Sequence, residues 1–214
     1  MKKDEKEPVL HGETSILKEP DMITLADKEY AAKLNQDDGK KIVSFADIRK
    51  IAQSENDINF LNSLKIVFDN EGKYVNDKND KGGPTNFGIT QTTYDDYCRR
   101  HKKTYKNVKN LSLEDTITIY YNDYWKKLGL NNNINPIESL ILFDTAVLHG
   151  VGRAKEFYKK ANGNLYKLLD LRKEHYDVQV LKSPNQKKYY NGWLNRIHKL
   201  KDILDRYYII QNNQ

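Results

Sequence analysis

Apolar residues recur along much of this chain at helical spacing. Ile58, Leu61, Leu64 and Phe68 fall three and four residues apart, which places them on one buried helix face, and Asp57 is positioned as the N-cap. Residues 74–88 then crowd Gly, Pro, Asn and Asp together and predict a loop or a small twisted hairpin. A second helix is expected over Ile89 to Arg100, with Thr90 as its cap. Ser112 followed by Asp115 is a capping-box pattern opening a helix that bears Ile117, Tyr121, Tyr124 and Trp125. Pro136 precedes a run from Ile137 to His149 that is apolar almost all round, which predicts a central buried helix. Gly150 and Gly152 read as a helix stop and restart. Two more helices are expected near Leu165 to Val180 and Asn185 to Ile210, separated by Ser183-Pro184, with Trp193, Leu194, Ile197, Leu200, Leu204 and Tyr207 as a stripe on the second.

The first quarter of the chain lacks this order. Up to about residue 43 the apolar residues come singly or in pairs, punctuated by Pro8, Gly12 and Pro20, so the segment reads as extended or disordered. Short helices are predicted around Leu25 to Leu34 and Phe45 to Ala52. Residues 1–56 are therefore read as a polar extension, either a solvated leader or a docking arm for a protein partner. Charge separates this extension from the rest. It holds ten Lys or Arg against twelve Asp or Glu, whereas residues 57–214 hold 26 against 18 and carry the net positive charge. A basic surface attracts anionic polymers in general, including wall peptides, phosphates and nucleic acid.

Composition excludes several classes. The single Cys98 rules out an internal disulfide framework or a multi-cysteine metal site. The five His lack metal-ligand spacing. Asp77, Asn79 and Gly82 are spaced like part of a calcium loop, but Lys81 takes the fifth ligand position and Gly88 the twelfth, where a bidentate Glu belongs. No metal and no cofactor is expected. Gly150 and Gly152 lack the third glycine and the preceding strand of a dinucleotide fingerprint. The 15 Tyr interleaved with Lys raise nucleic-acid binding, but no recognition motif accompanies them and the lysines fall at polar helix positions. No stretch approaches the roughly twenty apolar residues of a membrane span, and the N-terminus turns polar where a signal peptide has its apolar segment.

The candidate chemistry lies at Glu71 and Asp80. Glu71 follows Phe68 by three residues, at the end of the first predicted helix, and Asp80 lies in the polar loop beyond. A carboxylic acid held still and partly desolvated has its pKa raised, while one on a wet loop stays ionised. Glycoside hydrolysis needs that division of labour: one group protonates the leaving oxygen, and the other directs water or stabilises positive charge at the sugar carbon.

From Glu71 to Thr90 the chain reads EGKYVNDKNDKGGPTNFGIT, which resembles the signature EGGYVNDPxDPGGxTxxGIT of the glycoside hydrolase family 108 muramidases. Phe143-Asp144-Thr145-Ala146-Val147 with Gly150, Arg153 and Ala154 is similar to the family's FDxAVNxGxxRA helix, and Gly192-Trp193-Leu194-Asn195-Arg196 to its GWLNR segment. Lys73, Lys78, Lys81 and Leu148 depart from the family pattern. None of these changes removes a carboxylate.

The resemblance implies a mainly α, lysozyme-like α+β fold: a helical bundle with a small β-hairpin or loop lobe that carries the active site. It implies a muramidase domain over 57–160 and a helical peptidoglycan-binding region over 161–214. The expected reaction is hydrolysis of the β-1,4 bond between N-acetylmuramic acid and N-acetylglucosamine in bacterial peptidoglycan. Glu71 is expected as general acid and Asp80 as the second carboxylate, with Thr85 or Asn86 holding the attacking water. Tyr74, Asn86, Tyr190, Trp193 and Arg196 are substrate-binding candidates. Asp144 either bonds backbone and Arg153 inside the fold or faces the substrate. The chain is expected to reach the wall or periplasm by release, injection or dedicated secretion. A non-catalytic wall-binding or structural protein on the same fold is the competing reading.

Overall fold

A computed structural model of the chain describes residues 57–70 and 83–213. The extension, with its expected helices at 25–34 and 45–52, lies outside the described residues. The described chain forms two compact units, one ending at Asn132 and the other beginning at Asn133. The boundary expected between residues 160 and 161 falls within the second unit.

The first unit begins with α1 (Ile58–Asn70), whose Phe60, Leu64 and Val67 are fully buried. Asp57 caps it, with Oδ1 accepting from the Phe60 amide at 3.1 Å. The other oxygen, Oδ2, accepts from the Trp125 indole N–H at 2.7 Å, so one buried carboxylate ties the start of α1 to a residue 68 positions away. Next come β1 (Thr85–Asn86) and β2 (Ile89–Thr90), an antiparallel hairpin pairing Thr85 with Thr90 and Asn86 with Ile89. Its two-residue turn has Phe87 at φ +50° and Gly88 at φ +75°, the doubly left-handed geometry that suits the right-handed twist of a hairpin.

The helix expected from Ile89 starts two residues later, as α2 (Gln91–Arg100), because Ile89 and Thr90 are held in the hairpin. Thr90 is its cap, accepting from the Thr93 amide. A short 3₁₀ turn (Val108–Asn110) leads to α3 (Leu113–Ile119), capped by Ser112 accepting from the Asp115 amide. The chain then widens into a π-helix (Tyr120–Trp125) before α4 (Lys126–Leu128). Phe60 packs edge-on against Tyr121 at 4.9 Å and Trp125 at 5.4 Å, so α1 lies on this π segment.

The second unit consists of α5 (Pro136–His149), α6 (Val151–Ala161), α7 (Leu165–Lys182) and α8 (Lys187–Asn212), with a 3₁₀ turn (Pro184–Gln186) before the last. Pro136 occupies the first turn of α5 and Asn135 caps it, accepting from Ile137 at 3.0 Å while its amide donates to the Tyr207 hydroxyl on α8 at 3.0 Å. Residues Ser139 to Ala146 of α5 are all buried, as expected of a helix apolar nearly all round. It packs against α6, α7 and α8. Gly150, at φ +82° and ψ 153°, ends α5 and starts α6 within a single residue.

Asp144 lies in the middle of α5 and is fully buried. Its Oδ1 is 2.9 Å from Arg172 Nη2 on α7, and its Oδ2 accepts from Arg196 Nε on α8 at 2.9 Å and lies 2.7 Å from Arg196 Nη2. The partners are thus Arg172 and Arg196, not Arg153. Burial pushes the Asp144 carboxyl up, but the two guanidiniums outweigh it and hold the pKa below the usual carboxylate value. The stabilisation is present above the unfolded carboxyl pKa of about 3.9 and is lost as pH falls through the lower folded value. Asp144→Asn leaves two buried cations without an anion and is expected to cost about 3–5 kcal/mol, measured by urea unfolding of the full chain at pH 7. A loss under about 1 kcal/mol would contradict this role.

Candidate active site

Glu71, Tyr74 and Asp80 lie outside the described residues, so the site is defined by the elements that bound their segment. On one side is the end of α1, where Phe68 is buried; on the other is the hairpin that starts at Thr85. These two sides meet. Phe68 packs on Phe87 at 6.0 Å and on Tyr120 at 6.0 Å, and the Tyr120 hydroxyl donates to the Phe87 carbonyl at 2.7 Å. The end of α1, the hairpin turn and the π-helix therefore form one junction. The left-handed conformation of Phe87 is costly for a bulky residue, and its ring and carbonyl contacts hold it in place.

The hairpin is also sewn to the Val108–Asn110 turn. Asn86 Nδ2 donates to the carbonyls of Val108 and Lys109 at 3.1 and 3.2 Å. Gln91 Oε1 accepts from the Val108 amide at 2.7 Å, and its Nε2 donates to the Lys106 carbonyl at 2.9 Å. Asn86 is buried and its amide donors are committed to backbone. Thr85, half-buried beside it, donates its hydroxyl proton to the Gly83 carbonyl at 3.1 Å and keeps oxygen lone pairs available.

The second unit carries the remaining sequence candidates. Asp144 and Arg196 are taken up by each other in the interior, which accounts for both as bracing residues. The Tyr190 hydroxyl donates to Asp177 on α7. Trp193 is half-buried and stacks on Tyr176 at 4.7 Å with 18° between the rings, while Tyr189 lies 6.1 Å away on the same helix. His149 joins this group, 5.0 Å from Tyr176 and 5.2 Å from His175. Burial first, then the charges of Arg172, His175 and Arg153, push the His149 pKa down to about 2. Among the described residues no group of three His, Cys, Asp or Glu is placed to hold a metal, and no helix is long and apolar enough to cross a membrane.

Sequence reasoning missed Tyr120, Phe87 and Gln91. Periodicity gave no signal for them, because their roles rest on partners at least 15 residues away. It named Asp57 as a cap but not as the acceptor for Trp125.

Residues 64–150 match the family Glycosyl hydrolase 108, a span that is less than half of the chain. The match bears out the resemblance read from the sequence and supports glycoside hydrolysis as the chemistry. A solved structure titled "Structure of Brucella abortus SagA" is similar at 23% identity and a TM-score of 0.52, covering 67% of this chain and 91% of that one. At that identity the likeness shows the fold: mainly helical with a small two-stranded sheet. No curated protein matches the chain.

Tyr120→Phe removes the donor to the Phe87 carbonyl and is expected to cost about 1–2 kcal/mol, read by thermal unfolding. His149 gives a second expectation. Its folded form stays neutral while the unfolded chain takes up a proton below about pH 6.5, so stability falls on acidification from there, by up to about 1.4 kcal/mol per pH unit. Substituting His149→Phe is expected to flatten the unfolding profile between about pH 6 and 4.5, above the range where buried carboxylates contribute.

Proposed function

We propose that the segment matching Glycosyl hydrolase 108 makes this chain a peptidoglycan hydrolase that cleaves the β-1,4 bond between N-acetylmuramic acid and N-acetylglucosamine. Glu71 acts as general acid, giving its proton to the glycosidic oxygen. Asp80 orients the attacking water or stabilises the oxocarbenium-like transition state, and Thr85 holds that water through its open lone pairs. Tyr74 contacts sugar near the acid. Trp193 and Tyr190 supply ring faces to the polymer in the second unit, where flat apolar faces stack on pyranose rings.

The observation that carries this reading is the junction of Phe68, Phe87 and Tyr120. It anchors the residues on both sides of the Glu71–Asp80 segment, and a carboxylic acid serves as a catalyst only where its neighbours hold it in position. The family match over 64–150 takes in both carboxylates and the junction.

The test compares wild type with Glu71→Gln on purified peptidoglycan by zymography, followed by mass analysis of the released fragments. The expected result is a fall in rate of about 10²–10⁴-fold in the variant and reducing muramic acid ends in the wild-type digest. Equal clearing by both proteins would remove Glu71 from the role. Anhydro ends would make the enzyme a transglycosylase, and no clearing by either would favour a wall-binding protein.

A further inference from the structure

The first unit carries a run of cations that its fold uses only in part. Between Tyr97 and Ser112 there are six Lys or Arg and no Asp or Glu, and every residue from Arg99 to Asn107 is exposed. Acids outside this run meet three of the six: Arg99 pairs with Asp96, Arg100 with Asp123 and Lys103 with Asp115. Asp123 is itself shared with Lys127. The ammonium groups of Lys102 and Lys106 have no ion-pair partner among the described residues, and Lys109, exposed as well, completes the run.

The run is laid out as a strip, and one end of it is fastened to the hairpin. At the far end of α2 the Lys103 amide donates to the Cys98 carbonyl at 2.9 Å, and Lys102 turns the chain there at φ +52°. At the near end the Lys106 carbonyl accepts from Gln91 Nε2 at 2.9 Å, and the Val108 amide donates to Gln91 Oε1 at 2.7 Å. Gln91 and Cys98 are seven residues apart on one helix, a rise of about 10 Å, so the chain from Lys103 to Lys106 runs back along α2 and spreads its charges instead of gathering them around a point. Asn86 then holds the Val108 and Lys109 carbonyls, which brings the strip to the strand that opens with Thr85. A spread row of exposed ammonium groups suits a polymer with repeated negative charges better than a single small anion.

We infer that the strip over residues 99–109 is a docking surface for the wall polymer, which Lys102 and Lys106 hold through the repeated free carboxylates of its peptides. The identity of the polymer rests on the wall-hydrolase reading. The position of the strip favours this occupant over other polyanions: the hairpin where it ends borders the segment of Glu71 and Asp80, so a strand lying along it leads to the proposed cutting site. Exposed lysines contribute mainly to capture, because their long-range attraction raises the rate of encounter and falls away with salt. The chemistry itself depends on groups beside the hairpin.

The experiment is co-sedimentation of the full chain with purified sacculi on ice, native or with their carboxyl groups amidated. At about 0.05 M salt amidation is expected to weaken wild-type binding roughly ten-fold, and at about 1 M salt, where the Debye length is about 3 Å, the two polymers should bind alike. The double variant Lys102→Gln/Lys106→Gln should bind native sacculi roughly five-fold more weakly at low salt and match the wild type on amidated sacculi. Lys159→Gln/Lys167→Gln removes the same charge from exposed positions of the second unit and should change binding less than about two-fold. Wild-type binding that ignores amidation would overturn the inference, as would equal losses in the two double variants, which would mean diffuse attraction to a basic protein. The same variants on duplex DNA form the last arm: a loss there with none on sacculi gives the strip to nucleic acid and also overturns the inference. Fragment release from native sacculi, read separately after warming, reports on the hydrolase reading, so the two can fail independently.

Discussion

A carboxylate taken out of water must find its partners inside the protein, and in this chain that constraint places the long-range ties. Asp57 serves α1 with one oxygen and Trp125 with the other, so the helix that leads towards Glu71 is registered against the π-helix. Asp144 does the same for α5, α7 and α8 through Arg172 and Arg196. Asp123, buried in the π-helix, accepts from Arg100 at 2.6 Å and lies 3.0 Å from Lys127. Burial raises its carboxyl, but these cations outweigh it and the pKa is lowered. Apolar packing alone tolerates sliding, whereas a buried ion with two directional partners admits little.

The consequence for function follows through the junction at Phe68. With the start of α1 fixed by Asp57, the position of its far end is set by helix geometry, and Phe68 meets Phe87 and Tyr120 there. The hairpin is held from its other side by Asn86 and Gln91. The site is thus bounded by rigid elements although the proposed catalytic residues belong to the connecting segment. The second unit repeats the logic: one buried carboxylate, Asp144, fixes two further helices through Arg172 and Arg196.

How much of this was legible in sequence depended on the range of the interaction. Caps at Asp57, Thr90 and Ser112 act over three residues, so their letters predict them, and the structure has all three. The all-round apolar run before His149 announced a buried helix for the same local reason. The π-helix was not legible: no local letter pattern marks it, and the bonds that anchor it, Tyr120 to Phe87 and Trp125 to Asp57, reach far along the chain. Asp144 could be recognised as needing a cation. Choosing Arg172 and Arg196 over the nearer Arg153 required knowing which helices face α5. Asn86 looked like a water-binding side chain in the signature, and only the position of the Val108–Asn110 turn turns its amide into a brace.

Gly150 joins α5 to α6 with a backbone conformation, φ +82° and ψ 153°, that is essentially reserved for glycine, yet open space surrounds its Cα. Nothing crowds the position; handedness alone excludes other residues. An alanine of the natural chirality would favour fusing the two helices into a single rod and carrying Arg153 away from His175, whereas the mirror-image alanine, introduced by chemical synthesis, would fit the corner and stiffen it.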